Sequence, residues 1–300
     1  MKKPSRPTAS LSQPKPFWEE DASAPPPTAE VTRGSDVPID IDGFRVGPII
    51  GQGGTATVYA CTDRRGRALA LKVLGSGDVT EARREAKLMS QVKHPSVPRV
   101  EHVGQLASGQ PFLVMERVDG TALDELLASN GPMPWRAVKP LLLELLDALA
   151  ALHARGLIHR DVKPANVLVR SSSPSVALVD FGISRQTASG MVAPTTANVV
   201  RGTLEYMSPE QLSGQPIDAR SDLFSAGVLT FEAACGALPW PTTRPGIGAR
   251  LQTMHATPKL TRPARIPAAA FTVLQRLLAL DPDERPATAH QARAQLAMSR

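Results

Sequence analysis

Three polar side chains in the run 159–168 have the types and the spacing that phosphoryl transfer needs: Asp161, Lys163 and Asn166. Phosphoryl transfer depends on positioning and charge neutralisation more than on covalent chemistry. Asp161 could orient an attacking hydroxyl group and accept its proton, while Lys163 could neutralise the transferring phosphoryl group. Asn166 could hold a metal ion. The run therefore predicts a phosphotransfer loop.

A second candidate metal ligand, Asp180, follows the apolar run Val-Ala-Leu-Val at 176–179 and opens an Asp-Phe-Gly motif. It stands fourteen residues after Asn166. A strand that ends in a carboxylate presents a hard oxygen ligand of the kind that Mg²⁺ prefers. We therefore expect Asp180 and Asn166 to serve as the metal ligands.

Two features nearer the N-terminus could bind phosphate. The run 51–58 reads Gly-Gln-Gly-Gly-Thr-Ala-Thr-Val, and glycines let backbone N–H groups approach phosphate oxygens without a Cβ clash. An ordinary hairpin turn would use the same glycines. The apolar run 69–72 ends in Lys72, and a buried lysine needs a counter-charge. The next predicted helix offers Glu85, with Glu81 one turn earlier, and a solvated lysine at a strand end is the alternative.

The elements that must position these residues form a β-rich first third and a helical remainder. We predict strands at 44–50, 56–61, 68–74 and 112–117 from their β-rich composition and flanking turn residues. We predict helices from apolar periodicity at 79–92, 121–128, 137–154, 219–235, 268–280 and 287–298. The pattern indicates two unequal lobes that meet near 116–120, and ligands favour such junctions.

The first 36 residues differ from the rest, because they contain seven prolines and few large apolar residues. Such a segment buries too little surface to offset its ordering entropy, so we expect a disordered, Pro-rich tail at 1–36. A single two-lobed domain is then expected at 37–300. Its N-lobe would span about 37–117 and its C-lobe about 118–300.

The composition argues against several classes of function. The 300-residue chain is 42% hydrophobic, with a net charge of +6 and two cysteines, Cys61 and Cys235. Without a long Lys/Arg run or zinc-ligand spacing, we expect no nucleic-acid binding. The most apolar stretches, 141–152 and 224–234, are too short to span a bilayer and carry acidic residues. We expect a cytoplasmic protein with reduced thiols and no membrane insertion.

Together these motifs resemble the eukaryotic-type serine/threonine protein kinase family in its bacterial, Hanks-type form, from about Phe44 to the C-terminus. The resemblance implies an α+β fold, with a small β-rich N-lobe carrying one main helix and a larger helical C-lobe. It implies ATP as the phosphate donor and Mg²⁺ as the metal, with Mn²⁺ as the alternative. Lys72 and Glu85 would form a pair that sets the active conformation.

The resemblance also implies a set of nucleotide-binding residues. Met115 would be the gatekeeper, and backbone groups of the hinge would bind the edge of the adenine ring. Lys72 would contact the phosphates. The remaining contacts would come from the Gly-rich loop (Gly51, Gln52, Gly53, Gly54, Thr55 and Ala56), the adenine sandwich (Val58, Ala70 and Leu168) and the hinge (Glu116, Arg117 and Val118).

The C-terminal half extends the resemblance. Ser208-Pro209-Glu210 is similar to the Ala-Pro-Glu motif that ends the activation segment, and Glu210 would pair with Arg285. Asp222 would brace the catalytic loop. Lys163, together with Thr203 in the substrate-facing loop, resembles the serine/threonine branch. Two residues depart from the family pattern, Ala56 for the third glycine and Ser208 for alanine, and both changes exchange small residues.

The implied function is transfer of the ATP γ-phosphate to Ser/Thr hydroxyl groups of protein substrates, with autophosphorylation of the activation loop. Arg160 beside the catalytic aspartate is typical of kinases whose loop is ordered by a phosphate. Thr195 and Thr196 are the candidate sites, and Thr187 is a weaker one. A pseudokinase scaffold and a small-molecule phosphotransferase are the alternatives. A homodimer is a further partner to test.

Overall fold

The computed structural model describes residues 39–53, 56–75, 79–171, 175–180, 204–240, 246–256 and 260–299. Several residues singled out in the sequence lie outside this part of the chain, as does the predicted tail at 1–36. They are Gly54, Thr55, Phe181, Gly182, Thr187, Thr195, Thr196, Thr203 and the side chain of Glu81.

The N-lobe is built on a six-stranded antiparallel sheet with the strand order β1-β2-β3-β4-β6-β5. Its strands are β1 (Ile39–Ile41), β2 (Phe44–Gln52), β3 (Ala56–Thr62), β4 (Ala68–Leu74), β5 (Val100–Gln105) and β6 (Pro111–Glu116). The helix α1 (Val79–Ser90) connects β4 to β5. The predicted β-rich N-lobe with one main helix is therefore confirmed.

The central strand β4 sets the direction in which Lys72 points. Successive side chains of a strand alternate between the two faces of the sheet. Leu69, Leu71 and Val73 belong to an apolar cluster on one face, whereas Ala70 belongs to the larger core that continues into the C-lobe. Lys72 has the parity of Ala70 and therefore lies on the C-lobe side. Both faces are buried, which explains the nearly continuous apolar run.

The C-lobe is mainly helical, as predicted. Its helices are α2 (Leu123–Asn130), α3 (Trp135–His153), α4 (Pro209–Leu212), α5 (Ala219–Cys235), α6 (Ile247–Ala256), α7 (Ala268–Leu277) and α8 (Ala289–Met298). The helix α5 is buried along most of its length. It begins where the Asp218 side chain accepts a hydrogen bond from the N–H of Arg220 and ends at Gly236 in a left-handed conformation, φ 73°. Among the described ranges, no helix combines the length and the apolar character needed to cross a membrane.

A small sheet at the lobe junction was not predicted as a sheet, although the strand expected at 176–179 is present as its third strand, Val176–Leu178. It consists of β7 (Thr121–Ala122), β8 (Val167–Val169) and β9 (Val176–Leu178) in the order β7-β8-β9. The helix predicted at 121–128 is therefore wrong in its first two residues, which pair with β8 instead. The strands β1 and β5 and the helices α4 and α6 were also missed. The other helix boundaries differ from the predictions by a few residues, because helix ends fray.

Candidate active site

Asp222, in the first turn of α5, holds the backbone of the predicted phosphotransfer loop. Its carboxylate oxygens accept hydrogen bonds from the N–H groups of His159 and Arg160, both at 2.8 Å. Oδ2 also lies 2.8 Å from Nε2 of His153 at the end of α3. Asp222 is 1% exposed, and a buried carboxylate is stable only when it is bound in this way. The predicted bracing by Asp222 is confirmed.

His159 connects this loop to the chain that leads into Asp180. Burial lowers the pKa of His159, although the charges of Asp222 and Asp161 act in the opposite direction. Its Nδ1 accepts a hydrogen bond from the N–H of Asp161 at 3.3 Å, and its Nε2 lies 3.1 Å from the carbonyl oxygen of Val179. Because a carbonyl oxygen only accepts, the neutral ring carries its proton on Nε2.

The side chain of Asp161 is bound by both polar partners that follow it in the loop. Nζ of Lys163 lies 3.0 Å from Asp161 Oδ2. The amide nitrogen of Asn166 donates to the same oxygen at 3.1 Å and to the Asp161 carbonyl oxygen at 2.8 Å. Asn166 is 4% exposed, in a short 3-10 turn that begins with Pro164. The structure thus brings all three residues together and fixes the orientation of the carboxylate.

Lys72 reaches across the lobe junction to Asp180. Its ammonium nitrogen lies 2.9 Å from Asp180 Oδ1, with the lysine side chain 6% and the aspartate side chain 44% exposed. Asp180 has a positive φ of 62°, which costs energy for a non-glycine residue. The N–H of Val179 donates to the Asn166 carbonyl oxygen at 2.9 Å and so fixes the preceding residue. Glu85, the predicted partner of Lys72, is buried on α1.

Most of the predicted nucleotide-binding residues that the structure describes lie on neighbouring strands around the junction. Gly51 pairs with Val58 across β2 and β3, and Ala70 pairs with Met115 across β4 and β6. At the tip of the Gly-rich hairpin, the N–H of Gly53 donates to the carbonyl oxygen of Ala56 at 3.0 Å. Four further candidates are also placed: Gln52 lies in β2, Glu116 ends β6, Val118 follows β6, and Leu168 is half-buried in β8.

Glu210 and Arg285 form the predicted ion pair. Nη1 of Arg285 donates to Glu210 Oε1 at 2.7 Å and Nη2 donates to Oε2 at 2.9 Å. Burial opposes ionisation of Glu210, but the hydrogen bonds and charge of Arg285, with a hydrogen bond from Ser221, hold the pKa of this carboxyl below its usual range. The pair anchors α4, and with it the end of the segment 204–210.

The segment 204–210 has further contacts that the sequence reasoning missed. The hydroxyl of Tyr206 donates to Glu232 Oε2 at 2.5 Å. Burial raises the pKa of both side chains, and for Tyr206 the bond to Glu232 adds to the effect. Arg250, which is 1% exposed, donates to the carbonyl oxygens of Glu205 and Trp240. Glu232 interrupts the apolar run of α5 with a charge, and this was the one feature of the sequence that could have indicated its buried contact.

The two-lobed fold and these contacts define the class of the protein. A family model described as protein kinase domain matches residues 44–296, and the chain belongs to this family. It is 39% identical over 274 residues to the serine/threonine-protein kinase pkn2 of Myxococcus xanthus, covering 84% of this chain and 32% of that protein. It is 35% identical over 266 residues to PknB of Mycobacterium leprae, covering 85% of this chain and 42% of that protein.

A third relative, the serine/threonine-protein kinase PknL of Mycobacterium tuberculosis, is 42% identical over 198 residues, covering 64% of this chain and 49% of that protein. The chain thus spans about a third to a half of the length of these relatives. Among solved structures, Rad53 1–466 in complex with AMP-PNP matches with a TM-score of 0.71 and 26% identity, covering 84% of this chain and 64% of that chain. The Mycobacterium tuberculosis PknI kinase domain matches in fold, with a TM-score of 0.65 and 24% identity, covering 87% of this chain and 97% of that chain.

Proposed function

We propose that this chain is a serine/threonine protein kinase that transfers the γ-phosphate of ATP to Ser/Thr hydroxyl groups of proteins. The observation that carries the proposal is the carboxylate of Asp161, bound by Lys163 at 3.0 Å and by Asn166 at 3.1 Å. It lies in a loop that Asp222 braces. The family membership and the names of the relatives support the same reaction.

In the proposed reaction, Asp161 orients the acceptor hydroxyl group and takes its proton as the oxygen attacks the γ-phosphorus. ADP leaves with the electron pair of the broken P–O bond. Lys163, which already lies beside Asp161, neutralises charge on the transferring phosphoryl group. A bound aspartate loses little orientational freedom in the reaction, so the existing hydrogen bonds favour transfer.

The residues around Asp180 fit a divalent metal ion. The bonds from Asn166 to Asp161 use its amide nitrogen, and the amide oxygen is therefore the atom suited to a metal. Asp180 accepts from Lys72 through Oδ1, and its side chain is 44% exposed, which suits binding through Oδ2. Mg²⁺ would neutralise charge on the phosphate oxygens of ATP. We propose Asn166 and Asp180 as its ligands, with Mn²⁺ as the alternative.

We propose that ATP binds at the lobe junction. Lys72 would contact its phosphates, with Glu85 setting the position of the lysine. The proposed nucleotide contacts are those predicted from the sequence: Gly51, Gln52, Gly53, Gly54, Thr55, Ala56, Val58, Ala70, Met115, Glu116, Val118 and Leu168. The strand pairing of Gly51 with Val58 and of Ala70 with Met115 supports this set.

We further propose autophosphorylation at Thr195 or Thr196, and Arg160 as the partner of the phosphate. Nε of Arg160 is buried and makes no hydrogen bond to the described residues, which supports such a role.

We also propose a tail at 1–36 before one kinase domain at 37–300, a cytoplasmic location, no nucleic-acid partner and no membrane insertion. Measuring the mass of the protein in solution would test whether it forms a homodimer.

A pseudokinase scaffold is the second candidate function. It would bind partners without transferring phosphate, and such proteins commonly lack one of the residues that act on ATP. Here Lys72, Asp161 and Asp180 are all present and in polar contacts, which favours the enzyme. A small-molecule phosphotransferase would not need the segment 204–210, so transfer to protein is favoured over that reaction.

The proposal can be tested with purified protein, Mg-ATP and a generic basic protein substrate. Wild type should add phosphate to serine and threonine of the substrate, and Asp161→Asn and Lys72→Met should not. Lys87→Met, an exposed lysine on α1, is the matched control and should keep full activity. Nucleotide binding by a wild type that transfers no phosphate would instead favour the scaffold.

A further inference from the structure

Arg160, next to the proposed base Asp161, has a strained backbone that two separate elements hold in place. Its φ is 65°, and a non-glycine residue in this region persists only where the surroundings fix it. Its N–H donates to Asp222 Oδ1 on α5 at 2.8 Å. Its carbonyl oxygen accepts from the side-chain amide nitrogen of Gln211 on α4 at 3.0 Å. Each end of the residue is therefore tied to a different helix.

Gln211 uses the other end of its amide to cap the helix on which it lies. Its Oε1 accepts hydrogen bonds from the N–H of Ser208 at 3.0 Å and from the Ser208 hydroxyl at 3.2 Å. The Ser208 hydroxyl in turn accepts from the Gln211 N–H at 3.4 Å. This capping box ends the segment 204–210. One amide thus joins that segment to the loop of Asp161.

The Arg160 carbonyl belongs to the same planar peptide group as the N–H of Asp161. The hydrogen bond from Gln211 therefore constrains the plane from which the Asp161 side chain projects. At the other edge of this peptide group, the Asp161 N–H makes a longer contact, 3.3 Å to Nδ1 of His159. The carbonyl side is the better anchored of the two.

We propose that Gln211 is a positioning residue for phosphotransfer, acting through the Arg160 carbonyl on the orientation of Asp161. The proposal rests on the function proposed above. Only a side chain with both a donor and an acceptor at its tip can serve Arg160 and Ser208 together. Glutamate would preserve the capping box but would place a carboxylate oxygen against the carbonyl, which also only accepts.

The variants Gln211→Glu and Gln211→Met separate this role from helix capping. Gln211→Glu should keep the capping box and lower the melting temperature less than Gln211→Met does, while its kcat for a protein substrate falls about tenfold, the scale of one lost hydrogen bond. Gln211→Met should lower both the melting temperature and kcat, because it loses the capping box and the bond to the Arg160 carbonyl. The KM for ATP should stay unchanged in each, since the Gln211 side chain bonds to Ser208 and Arg160, and neither is a proposed nucleotide residue. Gln215→Met, at an exposed glutamine three residues after α4, is the matched control.

Hydrogen exchange of the peptide that covers residues 159–163 gives a readout that needs no turnover. Exchange should be faster in both Gln211 variants than in wild type and Gln215→Met. Wild-type kcat and wild-type exchange in Gln211→Glu would show a capping role alone and overturn the proposal. A folded wild type without phosphotransfer would contradict the proposed function instead, and the exchange comparison would then decide whether Gln211 holds the loop.

Discussion

Replacing Glu210 by glutamine should destabilise the C-lobe, because Arg285 would keep a buried charge without its counter-ion. The Arg285 side chain is fully buried and Glu210 is 6% exposed. Removing one partner of a buried ion pair costs about 3–5 kcal/mol. Arg285 also donates to the carbonyl oxygens of Ala279, Arg220 and Leu280. Since these bonds would continue to solvate the guanidinium, we expect the lower figure, about 3 kcal/mol.

Urea unfolding followed by tryptophan fluorescence would measure this loss. Trp240 is 1% exposed and stacks on Phe224 with 5.7 Å between ring centroids, so it reports on the same core. In a thermal melt of the same proteins, the loss of about 3 kcal/mol should lower the melting temperature of Glu210→Gln by about 6–12 °C. Glu284→Gln, an exposed glutamate next to Arg285, should change stability by less than about 0.5 kcal/mol. A loss below about 1 kcal/mol in Glu210→Gln would refute the reasoning.

The same pair gives a pH dependence with a defined sign. The folded-state pKa of Glu210 lies below its usual range, so the carboxylate stabilises the folded protein above the unfolded-state pKa. That contribution is lost as the pH falls through the folded-state pKa. The stability advantage of wild type over Glu210→Gln should therefore shrink in acid. An advantage that grows as the pH falls would contradict the assigned charge.

Three further predictions concern the other buried groups. Tyr206→Phe should cost about 1–2 kcal/mol in a thermal melt, because Glu232 loses its donor, whereas Tyr59→Phe should not. Because burial raises the pKa of Glu232, wild type should gain stability over Glu232→Gln as the pH falls through that pKa, as urea titrations would reveal. Burial, and to a smaller extent the charge of Asp63, raises the pKa of the Cys61 thiol to about 11. About one thiol in a thousand is therefore ionised at about pH 8, and rapid native labelling by iodoacetamide would disprove this.

Local sequence was sufficient to predict the strand that carries Lys72 and the loop that carries Asp161. A continuous apolar run is typical of a strand buried on both faces, and β4 has the predicted bounds 68–74. The loop at 159–168 was recognisable because its functional residues lie within one short run. The prediction that Asp222 braces this loop came from the family resemblance, since 62 residues separate Asp222 from Arg160.

The missed contacts join residues that are distant in sequence and depend on tertiary packing. Lys72 and Asp180 are 108 residues apart, and Gln211 lies 51 residues from the carbonyl that it binds. The strand β7 has two residues, too few to show a period, and it exists because β8 lies beside it. Periodicity therefore favoured a helix there, and pairing across the junction decided the outcome.

The most direct test of the account compares initial rates of γ-phosphate transfer by wild type and Asp161→Asn at saturating Mg-ATP. General acid–base catalysis by one side chain contributes about 10²- to 10⁴-fold. We expect the variant to bind ATP as wild type does and to lose activity toward serine and threonine by a factor in that range. Equal rates in the two proteins, or ATP bound without transfer by either, would contradict the central claim.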